Sequence, residues 1–402
     1  MWRMRKFKSP LLNGAALIPL LGFLLSTRHC LAGGRAIAWG RDDYHQADVP
    51  ASVTNALALA GGLYHSLAFN ANGTITGWGD NSVGQTTIPT SLTNVIGIAS
   101  GGYHGLALEA GGIVSAWGDF MYDQLSVPSG LSNVVAISGG FYHSLALKAD
   151  GTVVSWGTGT NNLQDGVDYG QALVPAGLSN VVAVAAGGWH SLVLKSDGTL
   201  AAWGRDNVGQ GEIPPGLTNI IAISAGGAHN MVLRADRTVF VWGDNTYGQT
   251  NVPANVTNVI GIAAGGWHCL ALKANGTIAA WGDNDYPIGN GTTNRTHSGQ
   301  ATVPAGLSNI VAVAAGGWQS LALVGTNPPS LHEPFAAPAW STNGFSVSLP
   351  TQSGRVYALE YKNSLSNSTW TSVTLFAGTG GTLKLSDSTA TATNRFYRVR
   401  QW

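Results

Sequence analysis

The chain has 402 residues, of which only 10% are charged and 55 are glycine. This composition suits many short strands and tight turns and argues against an architecture of long, solvated helices. The formal net charge is zero and no cluster of lysine and arginine follows the first 30 residues, so a nucleic-acid-binding surface is not expected.

Residues 1–32 have the pattern of a secretory signal peptide. Four basic residues between positions 3 and 8 precede an apolar run from Ala15 to Leu25, and Cys30-Leu31-Ala32 offers a cleavage site with small residues. The apolar run is too short to span a bilayer. We therefore expect a secreted protein, extracellular or periplasmic, with no membrane insertion after cleavage.

The mature chain that follows is mildly acidic and has a single thiol. From 20 basic and 20 acidic residues, cleavage removes five basic and no acidic ones, which leaves a net charge near −5. Only Cys269 remains, so no disulfide can form within the chain and packing has to stabilise it. We expect a monomer that uses no cofactor and binds no nucleic acid.

A Trp-Gly pair recurs along most of the chain at nearly constant intervals. The steps between successive pairs are 39, 39, 39, 47, 39 and 39 residues. A period of about forty residues is the sign of a repeat architecture. The tryptophans of these pairs are Trp39, Trp78, Trp117, Trp156, Trp203, Trp242 and Trp281.

Each copy contains four segments with the character of β-strands. A run of small and β-branched residues ending in Gly-Gly, as in Val181 to Gly188, favours a fully buried strand, and His-Ser-Leu-Ala-Leu alternates with the period of a second strand. Asn-Gly or Asp-Gly, as at Asn72-Gly73, predicts a type I′ hairpin into a third strand that ends in Trp-Gly. A glutamine with proline four residues later, as at Gln46 and Pro50, predicts an outer edge strand.

Four strands in each of seven copies predict a seven-bladed β-propeller over residues 33–325. In six copies a histidine follows Gly-Gly and stands 13 residues before Trp-Gly, but the seventh equivalent, Gln319, has no Trp-Gly after it. The missing strand is present at the other end of the array, as Arg35 to Gly40. We therefore expect the N-terminal strand to complete the last blade and close the ring.

The pattern changes after the repeats. Residues 326–338 are rich in proline and predict a linker. Residues 339–402 contain five alternating segments, from Phe345 to Leu349 at the start to Arg395 to Arg400 at the end, which predict a small antiparallel β-sandwich of the fibronectin or immunoglobulin type. The expected fold class is therefore all-β, with a propeller followed by a sandwich.

The repeat can be written Ala-Gly-Gly-Tyr/Trp-His-Ser-Leu-Ala-Leu-Lys-x-Asp-Gly-Thr-x-x-x-Trp-Gly-x-Asn-x-x-Gly-Gln, followed by Val-Pro. It resembles the repeat of the regulator of chromosome condensation superfamily, over residues 34 to about 324, and its short spacing is most similar to the bacterial branch that includes β-lactamase inhibitor protein II. The resemblance implies a seven-bladed propeller that binds a protein partner through loops on one face. It does not specify the partner, because the superfamily also holds nucleotide-exchange factors.

In six of the seven copies an aromatic residue stands directly before the histidine or its equivalent. Successive turns of a blade alternate between the two faces, so this first turn, at Gly-Gly, shares a face with the third turn, between Trp-Gly and Gln. Buried Trp and Tyr anchors in interfaces often contribute about 2 kcal/mol or more each, although these rings could instead pack between blades. The candidate partner-binding residues here are Tyr64, Tyr103, Tyr142, Trp189, Trp267 and Trp318, with Ala228 in the remaining copy.

Both large insertions fall in the third turn, roughly at Thr158 to Tyr169 and at Asp283 to Ser298. Neither has a recognised metal-ligand spacing, and the chain has no Gly-x-Ser-x-Gly or His-Glu-x-x-His pattern, so we predict no metal site and no catalytic residue. The insertions add these candidate binding residues: Asp165, Asp168, Tyr169, Asp285 and Tyr286.

The six repeated histidines are interpreted as parts of the fold. Equivalent atoms on packed neighbouring sheets lie about 10 Å apart, whereas imidazoles that share a zinc ion must each place a nitrogen about 2.1 Å from it. We therefore expect these side chains to hydrogen-bond to the backbone at the Gly-Gly bend.

These features favour a secreted, non-catalytic propeller that binds a protein partner through the loops of one face. The alternative is a carbohydrate-binding or carbohydrate-active propeller, a hydrolase or lyase with a polysaccharide as its partner, because exposed aromatic rings also stack on sugars and the insertions carry acids. Nucleotide exchange on a small GTPase agrees less well with export and with the negative charge.

Overall fold

The structure, a computed structural model, describes residues 33–161, 163, 166–287, 295–325, 336–341, 344–351, 356–362, 371–378, 382–389 and 395–401. The predicted signal peptide and residues 326–335 of the predicted linker lie outside this part of the chain. The described residues form strands and turns, and none of them belongs to a helix long and apolar enough to cross a membrane.

Seven antiparallel three-stranded sheets form the blades of a propeller. The inner strands of the blades contact one another in sequence, and the last inner strand contacts the first, which closes the ring. The predicted seven-bladed propeller is confirmed. The first strand in the chain is β1 (Arg35–Gly40), which belongs to the last blade, VII, together with β22 (Ile310–Ala315) and β23 (Gln319–Val324). The other blades, in chain order, are I, with β2 (Ala56–Gly61), β3 (His65–Asn70) and β4 (Ile75–Gly79); II, with β5 (Val95–Ser100), β6 (His104–Glu109) and β7 (Ile113–Gly118); III, with β8 (Val134–Gly139), β9 (His143–Lys148) and β10 (Val153–Gly157); IV, with β11 (Val181–Ala186), β12 (His190–Lys195) and β13 (Leu200–Gly204); V, with β14 (Ile220–Ala225), β15 (His229–Arg234) and β16 (Val239–Gly243); and VI, with β17 (Val259–Ala264), β18 (His268–Lys273) and β19 (Ile278–Gly282). A separate small hairpin of β20 (Asp285–Pro287) and β21 (Arg295–His297) follows blade VI.

The predicted fourth strand of each copy is wrong, because the segment from Gln to Pro has no sheet pairing in the described residues. Side chains hold this segment instead. The Oε1 atom of Gln46 accepts the backbone N–H of Tyr44 at 2.9 Å, and the Gln46 carbonyl oxygen accepts both the indole N–H of Trp78 and the hydroxyl of Ser66 at 3.0 Å. The chain leaving one blade is thereby fixed to the next blade without a β-ladder.

The distribution of burial among the strands also differs from the prediction. The middle strand is the most buried element of each blade, and β3 and β6 are buried at every position. The inner strands, expected to be fully buried, are half-buried at many positions. They are more accessible because the ends of these strands and the glycines that follow them line a central channel.

The hairpin between the middle and outer strands is not of type I′. At Asn72-Gly73 only the glycine has positive φ, at 85°. The Gly73 N–H donates to the Asn70 carbonyl at 2.9 Å and the Asn70 N–H donates to the Thr74 carbonyl at 2.8 Å, which describes a type I turn followed by a glycine bulge. The Oδ1 atom of Asn72 accepts the backbone N–H of Thr74 at 3.1 Å, and this bond favours the right-handed conformation at Asn72.

The N-terminal strand closes the ring as predicted. β1 pairs with β23 in register from Arg35 opposite Val324 to Gly40 opposite Gln319. A belt of backbone hydrogen bonds joins the Gly-Gly bends of neighbouring blades around the axis, and the bond from the Gly317 N–H to the Gly62 carbonyl, at 2.9 Å, completes it. The side-chain amide of Gln319 also donates to the carbonyls of Gly62, at 3.1 Å, and His65, at 2.9 Å.

Glycine at the bend is required by the close approach of two neighbours. A Cβ atom on Gly62 would lie 2.2 Å from Cε1 of His65 and 2.7 Å from the carbonyl oxygen of Gly101 in the next blade. The equivalent glycines of the other blades meet the side chain at the histidine position and the next bend in the same way. The repeat of glycine therefore follows from the packing of the blades around the axis.

The C-terminal module is a sandwich of two antiparallel sheets, ordered β24-β25-β28 and β27-β26-β29. It begins at Ala336, inside the predicted linker, with a strand that the sequence pattern did not indicate. Its core contains Phe345, Leu349, Leu359 and Leu385. The strands are β24 (Ala336–Ser341), β25 (Gly344–Pro350), β26 (Val356–Lys362), β27 (Thr371–Ala377), β28 (Thr382–Asp387) and β29 (Phe396–Gln401).

The module packs against blade III near its second turn. Val356 and Leu375 belong to the same buried apolar cluster as Leu147, and the Leu375 N–H lies 3.5 Å from the carbonyl oxygen of Ala149. Ala149 follows the middle strand of the blade, at the end opposite the Gly-Gly bend. The first and third turns of blade III therefore lie on the other side of the propeller from this contact.

Candidate functional site

Aromatic side chains line the first turns of the blades and contact one another around the channel. Trp267 stacks on Trp318, with 4.6 Å between ring centroids, and Trp318 stacks on Tyr64 at 5.2 Å. Tyr64 contacts Tyr103 at 6.1 Å, and Tyr103 stacks on Tyr142 at 6.1 Å. All of these side chains are half-buried, so the rings support each other and still reach solvent. We call the surface formed by Tyr64, Tyr103, Tyr142, Trp189, Trp267, Trp318 and Phe141 the aromatic face.

Phe141 fills the gap left by Ala228 in blade V. It occupies the position of the second glycine of the Gly-Gly pair in blade III. Its ring lies 4.8 Å from that of Trp189 in blade IV and 6.5 Å from that of Trp267 in blade VI. Phe141 is not among the binding residues predicted from the sequence, although the loss of a repeated glycine at this position was the available signal. With Phe141 included, the rings form one connected array from Trp189 to Tyr142.

Tyrosines from the third turns extend the aromatic face outward. The Tyr44 ring lies 5.2 Å from that of Tyr64, and the Tyr122 ring lies 4.7 Å from that of Tyr142. The glutamine two residues later fixes each turn, since Oε1 of Gln124 accepts the Tyr122 N–H at 2.8 Å. These contacts bring the first and third turns together on one face, as the alternation of turns predicts.

Two arginines lie over the rings. The Arg41 Cζ atom is 5.1 Å from the ring centroid of Tyr64 and 5.4 Å from that of Trp318. The Arg205 Cζ atom is 4.9 Å from the centroid of Tyr169 and 5.3 Å from that of Trp189. Both arginines stand directly after Trp-Gly, where four other copies have aspartate, and this difference between copies distinguishes the two positions in the sequence.

The third turn of blade II carries the most exposed apolar side chains of the described residues. Phe120 is 76% exposed and Met121 is 72% exposed. They precede Tyr122, which contacts the aromatic face. A protruding phenylalanine and methionine on a single turn form the kind of apolar patch that marks an interaction site when it lies beside other apolar surface.

Comparisons with known proteins agree with this architecture. The family model for the regulator of chromosome condensation (RCC1) repeat matches residues 57–85, 134–163, 181–210, 220–249 and 259–286. The chain belongs to the RCC1-like repeat superfamily. The bacterial branch with β-lactamase inhibitor protein II stays a prediction. Comparison with curated protein sequences gives no match.

Solved structures that are similar to this RCC1-like chain share its fold. Prp20p from Saccharomyces cerevisiae is 20% identical, with a TM-score of 0.60 and coverage of 75% of this chain and 93% of Prp20p. Human WBSCR16 is 20% identical, with a TM-score of 0.55 and coverage of 73% and 100%. The ectodomain of the receptor kinase CR4 from Physcomitrella patens is 20% identical, with a TM-score of 0.52 and coverage of 70% and 75%.

The insertions of this RCC1-like propeller contribute less to the face than the sequence predicts. Asp168 is buried, and its carboxylate accepts the backbone N–H groups of Asn161 at 3.2 Å and Gly170 at 3.1 Å, so it shapes its own loop. Tyr169 is half-buried beneath Arg205 and therefore joins the aromatic face. Asp165 lies outside the described residues.

The second insertion forms a small hairpin in which Asp285 pairs with His297 and Tyr286 pairs with Thr296. The Asp285 N–H donates to the carboxylate of the buried Asp283 at 3.1 Å. The Tyr286 side chain lies outside the described residues. Asp285 is half-buried at the start of the hairpin and is placed on the third-turn side of blade VI.

The repeated histidines pack between blades, but their partners differ from the prediction. The Nε2 atom of His104 lies 2.9 Å from the hydroxyl of Ser144, and that of His190 lies 2.9 Å from Oδ1 of Asn230, each in the next blade. The Nδ1 atoms of all six have no hydrogen-bond partner among the described residues. The expected bond from imidazole to backbone is therefore wrong, because the histidine carbonyl, not its ring, accepts the Gly-Gly N–H.

Burial keeps these six imidazoles neutral. Loss of solvation lowers the pKa to about 3 for His104, His143 and His268 and to about 4 for His65, His190 and His229. All six are fully buried. They are therefore not accessible to a substrate, and their neutral form suits a structural contact.

One group of described side chains could hold a cation. Donor atoms of Asp42, His45 and Asp48 lie within 4.8 Å of one another in the turn after β1. All three are exposed, and Nδ1 of His45 lies 2.9 Å from a carboxylate oxygen of Asp48. Exposed acidic groups of this kind are common at protein surfaces, and we assign no metal to them.

Proposed function

We propose that the chain is an exported, non-catalytic protein that binds a protein partner on the aromatic face. The observation that carries the proposal is the connected array of half-buried rings, bordered by the exposed Phe120 and Met121. Interfaces are enriched in tryptophan, tyrosine and methionine, and a few such residues supply most of the binding free energy.

The stacking of the rings supports binding because it reduces the entropy lost on association. Trp267, Trp318 and Tyr64 already restrict each other's rotamers in the free protein. Ordering a side chain at an interface costs about 0.5–1.5 kcal/mol when the side chain is mobile beforehand. A preorganised ring surface avoids most of this cost, so apolar contact with a partner contributes directly to affinity.

The surroundings of the candidate acids and histidines support a non-catalytic role. The histidines are buried and neutral, and the Asp168 carboxylate is engaged with the backbone of its own loop. An acid or base in catalysis needs to reach substrate and to have a pKa near the working pH. The six buried histidines and Asp168 serve packing and turn formation instead.

One similar structure supports a protein partner. Prp20p is described by its binding to Gsp1p and histones, which are proteins. In this chain, the sandwich contacts blade III at its second turn. That arrangement leaves the third turn of the same blade available, and we propose that the sandwich is an accessory or attachment module.

A capture experiment with matched variants tests the proposal. The mature chain from Gly33 is incubated with secreted and periplasmic proteins of its own habitat, cross-linked and analysed by mass spectrometry. Phe120→Ser with Met121→Ser removes exposed apolar surface from the candidate side, whereas Ile113→Ser removes a side chain that is 56% exposed near the second turn of the same blade. We expect the first variant, and not the second, to lose the captured partner while both keep the thermal midpoint.

Two outcomes contradict the proposal. Equal capture by the two variants would remove the aromatic face from partner binding. Binding of a polysaccharide on a glycan array, or turnover that is lost in Asp165→Asn or Asp285→Asn, would instead support the carbohydrate-binding or carbohydrate-active alternative.

A further inference from the structure

The propeller is electrically asymmetric, and the aromatic face lies on its acidic side. The third turns carry four exposed acids, Asp42, Asp43, Asp123 and Asp206, and two more, Asp48 and Glu212, stand two residues after the glutamine that ends a third turn. Asp43 precedes Tyr44 and Asp123 follows Tyr122 in the sequence, and both tyrosine rings contact the aromatic array. The rim of this face is therefore negatively charged.

Exposed cations do not balance these acids. Among the described side chains, the third turns carry no exposed lysine or arginine. Arg41 is buried and Arg205 is half-buried, and their Cζ atoms lie 5.1 Å from the Tyr64 ring centroid and 5.3 Å from the Trp189 ring centroid. Of the two, Arg41 pairs with Asp43. The carboxylates of Asp42, Asp123 and Asp206 thus face solvent on a surface whose own arginines are packed into it.

The second turns, at the opposite ends of the same strands, have a different composition. They carry Lys148, Lys195, Arg234 and Lys273, interspersed with Asp150, Asp197 and Asp236. Of these, Lys148 lies 3.3 Å from Asp150. More basic residues of the repeats therefore lie at the second turns than at the third turns, where Arg41, Arg205 and Arg295 stand.

We propose that the aromatic face recognises a basic protein epitope, one that places lysine or arginine side chains over the rings and within the acidic rim. This inference rests on the proposed function and specifies the chemistry of the partner. Arg41 over Tyr64 and Arg205 over Trp189 show the geometry that a guanidinium adopts on these rings. Rings attract a cation through their quadrupole, and this attraction strengthens when a carboxylate is near and solvent is excluded.

The acidic rim also affects the rate of association. A surface with one sign of charge attracts an oppositely charged partner over roughly one Debye length, about 8 Å at physiological ionic strength. The rim therefore brings a basic epitope to the rings, and the rings hold it. A partner with an acidic epitope would instead be repelled.

The test compares two triple variants that remove the same charge from opposite faces. Asp42→Asn, Asp123→Asn and Asp206→Asn neutralise exposed acids of the rim. The turns tolerate this change, because Asn81 occupies the place of Asp42 and Asp206 in another copy and its Oδ1 accepts the Thr86 N–H at 3.0 Å. Asparagine also tolerates the positive φ of 58° at Asp123.

The control triple is Asp150→Asn, Asp197→Asn and Asp236→Asn in the second turns. Asn72 and Asn275 already fill the equivalent position in two copies, and both accept the N–H of the following threonine at 3.1 Å. Both triples therefore raise the net charge equally and retain their turns. Only the place of the lost charge differs between them.

The probe is a short peptide of alternating arginine and tyrosine, with citrulline replacing arginine in its uncharged counterpart. Binding to the full mature chain is measured by calorimetry at about 50 mM and about 200 mM NaCl, a range over which screening is substantial. We expect the arginine peptide to bind more tightly than the citrulline peptide and more weakly at the higher salt concentration. The rim triple should weaken it by about threefold to tenfold, and the control triple should leave it unchanged.

Each other result overturns the proposal. These results are equal affinity for the two peptides, no binding of either, or equal weakening by both triples, which would indicate a general effect of net charge. If the cross-linked partner is still lost with Phe120→Ser and Met121→Ser but is unaffected by the rim triple, the proposed function stands and the basic epitope does not.

Discussion

The imidazole Nε2 of His143 lies 3.0 Å from the hydroxyl oxygen of Ser191 in the next blade. Both side chains are fully buried. The same pairing joins His268 to Ser320 at 2.9 Å, and Ser191 and Ser320 also donate to the carbonyls of Gln171 and Gln300. The seams between blades therefore combine apolar packing with polar contacts that depend on neutral histidine.

We expect the propeller to lose stability as the pH falls below about 6.5. The six buried histidines have folded pKa values of about 3 to 4, below the ordinary value of 6.5, so between these limits the unfolded chain binds more protons than the folded one. Each histidine then lowers the free energy of unfolding by up to about 1.4 kcal/mol per pH unit. Thermal unfolding followed at successive pH values from neutral to acidic measures this slope.

Replacing one of these histidines by glutamine should reduce the dependence on pH. Gln319 occupies the equivalent position in blade VII and donates to the backbone of blade I, so the seam accepts this residue. His104→Gln is expected to lower the slope of stability against pH by about one proton's contribution. An unchanged slope in this variant would show that the acid sensitivity arises elsewhere.

Asn230→Ser should stabilise blade V. In three copies the glutamine carbonyl accepts both the Trp-Gly indole N–H and a serine hydroxyl, as Gln171 does from Trp203 and Ser191. In blade V the side-chain amide of Asn230 donates to the Gln210 carbonyl oxygen at 2.8 Å. The buried indole N–H of Trp242 has no hydrogen-bond partner among the described residues. Restoring that bond is expected to contribute about 1 kcal/mol, measured by denaturant unfolding. A lower midpoint would mean that the smaller side chain leaves an uncompensated void.

Arg237→Gly should also stabilise the protein. Arg237 has φ of 68° in the hairpin of blade V, where other copies have glycine, and its N–H makes the same turn bond to Arg234 at 2.9 Å. The left-handed conformation costs an L-residue roughly 1–2 kcal/mol, partly offset by the freedom of glycine in the unfolded chain. We expect a gain of about 0.5–1 kcal/mol. Gly198→Ala in blade IV, where the glycine has φ of 86° and open space, should lose a similar amount.

Two glycines of the first two blades should differ sharply in their tolerance of alanine. Gly62→Ala places a methyl group against the ring of His65 and the Gly101 carbonyl, so we expect a loss of about 2 kcal/mol or more. A Cβ on Gly97 would meet only Leu108, at 3.7 Å, an ordinary contact. Gly97→Ala should therefore be nearly neutral in thermal unfolding. Equal effects of the two changes would contradict the role of the Gly-Gly bend described above.

The repeat period made the propeller predictable, because seven copies of one pattern restrict the fold to a closed ring. The period could not show that hydrogen bonds of the Gln46 side chain and carbonyl fix the segment after it to the next blade. A strand was therefore expected in that segment. It also hid Phe141, Arg41 and Arg205, whose importance depends on contacts between blades far apart in sequence. The positions of the aromatic side chains were predictable from the repeat. Their contacts across the whole face depend on residues in which the copies differ.

The pairing of β1 with β23 has a consequence for biosynthesis. Arg35 is made near the beginning of translation, yet its partner Val324 is made only after six blades have been completed. The last blade therefore cannot assemble until nearly all of the propeller has emerged, and it depends on a contact between distant parts of the chain, which slows folding. Until then β1 is an unpaired edge strand, and chaperones would be expected to protect it from aggregation.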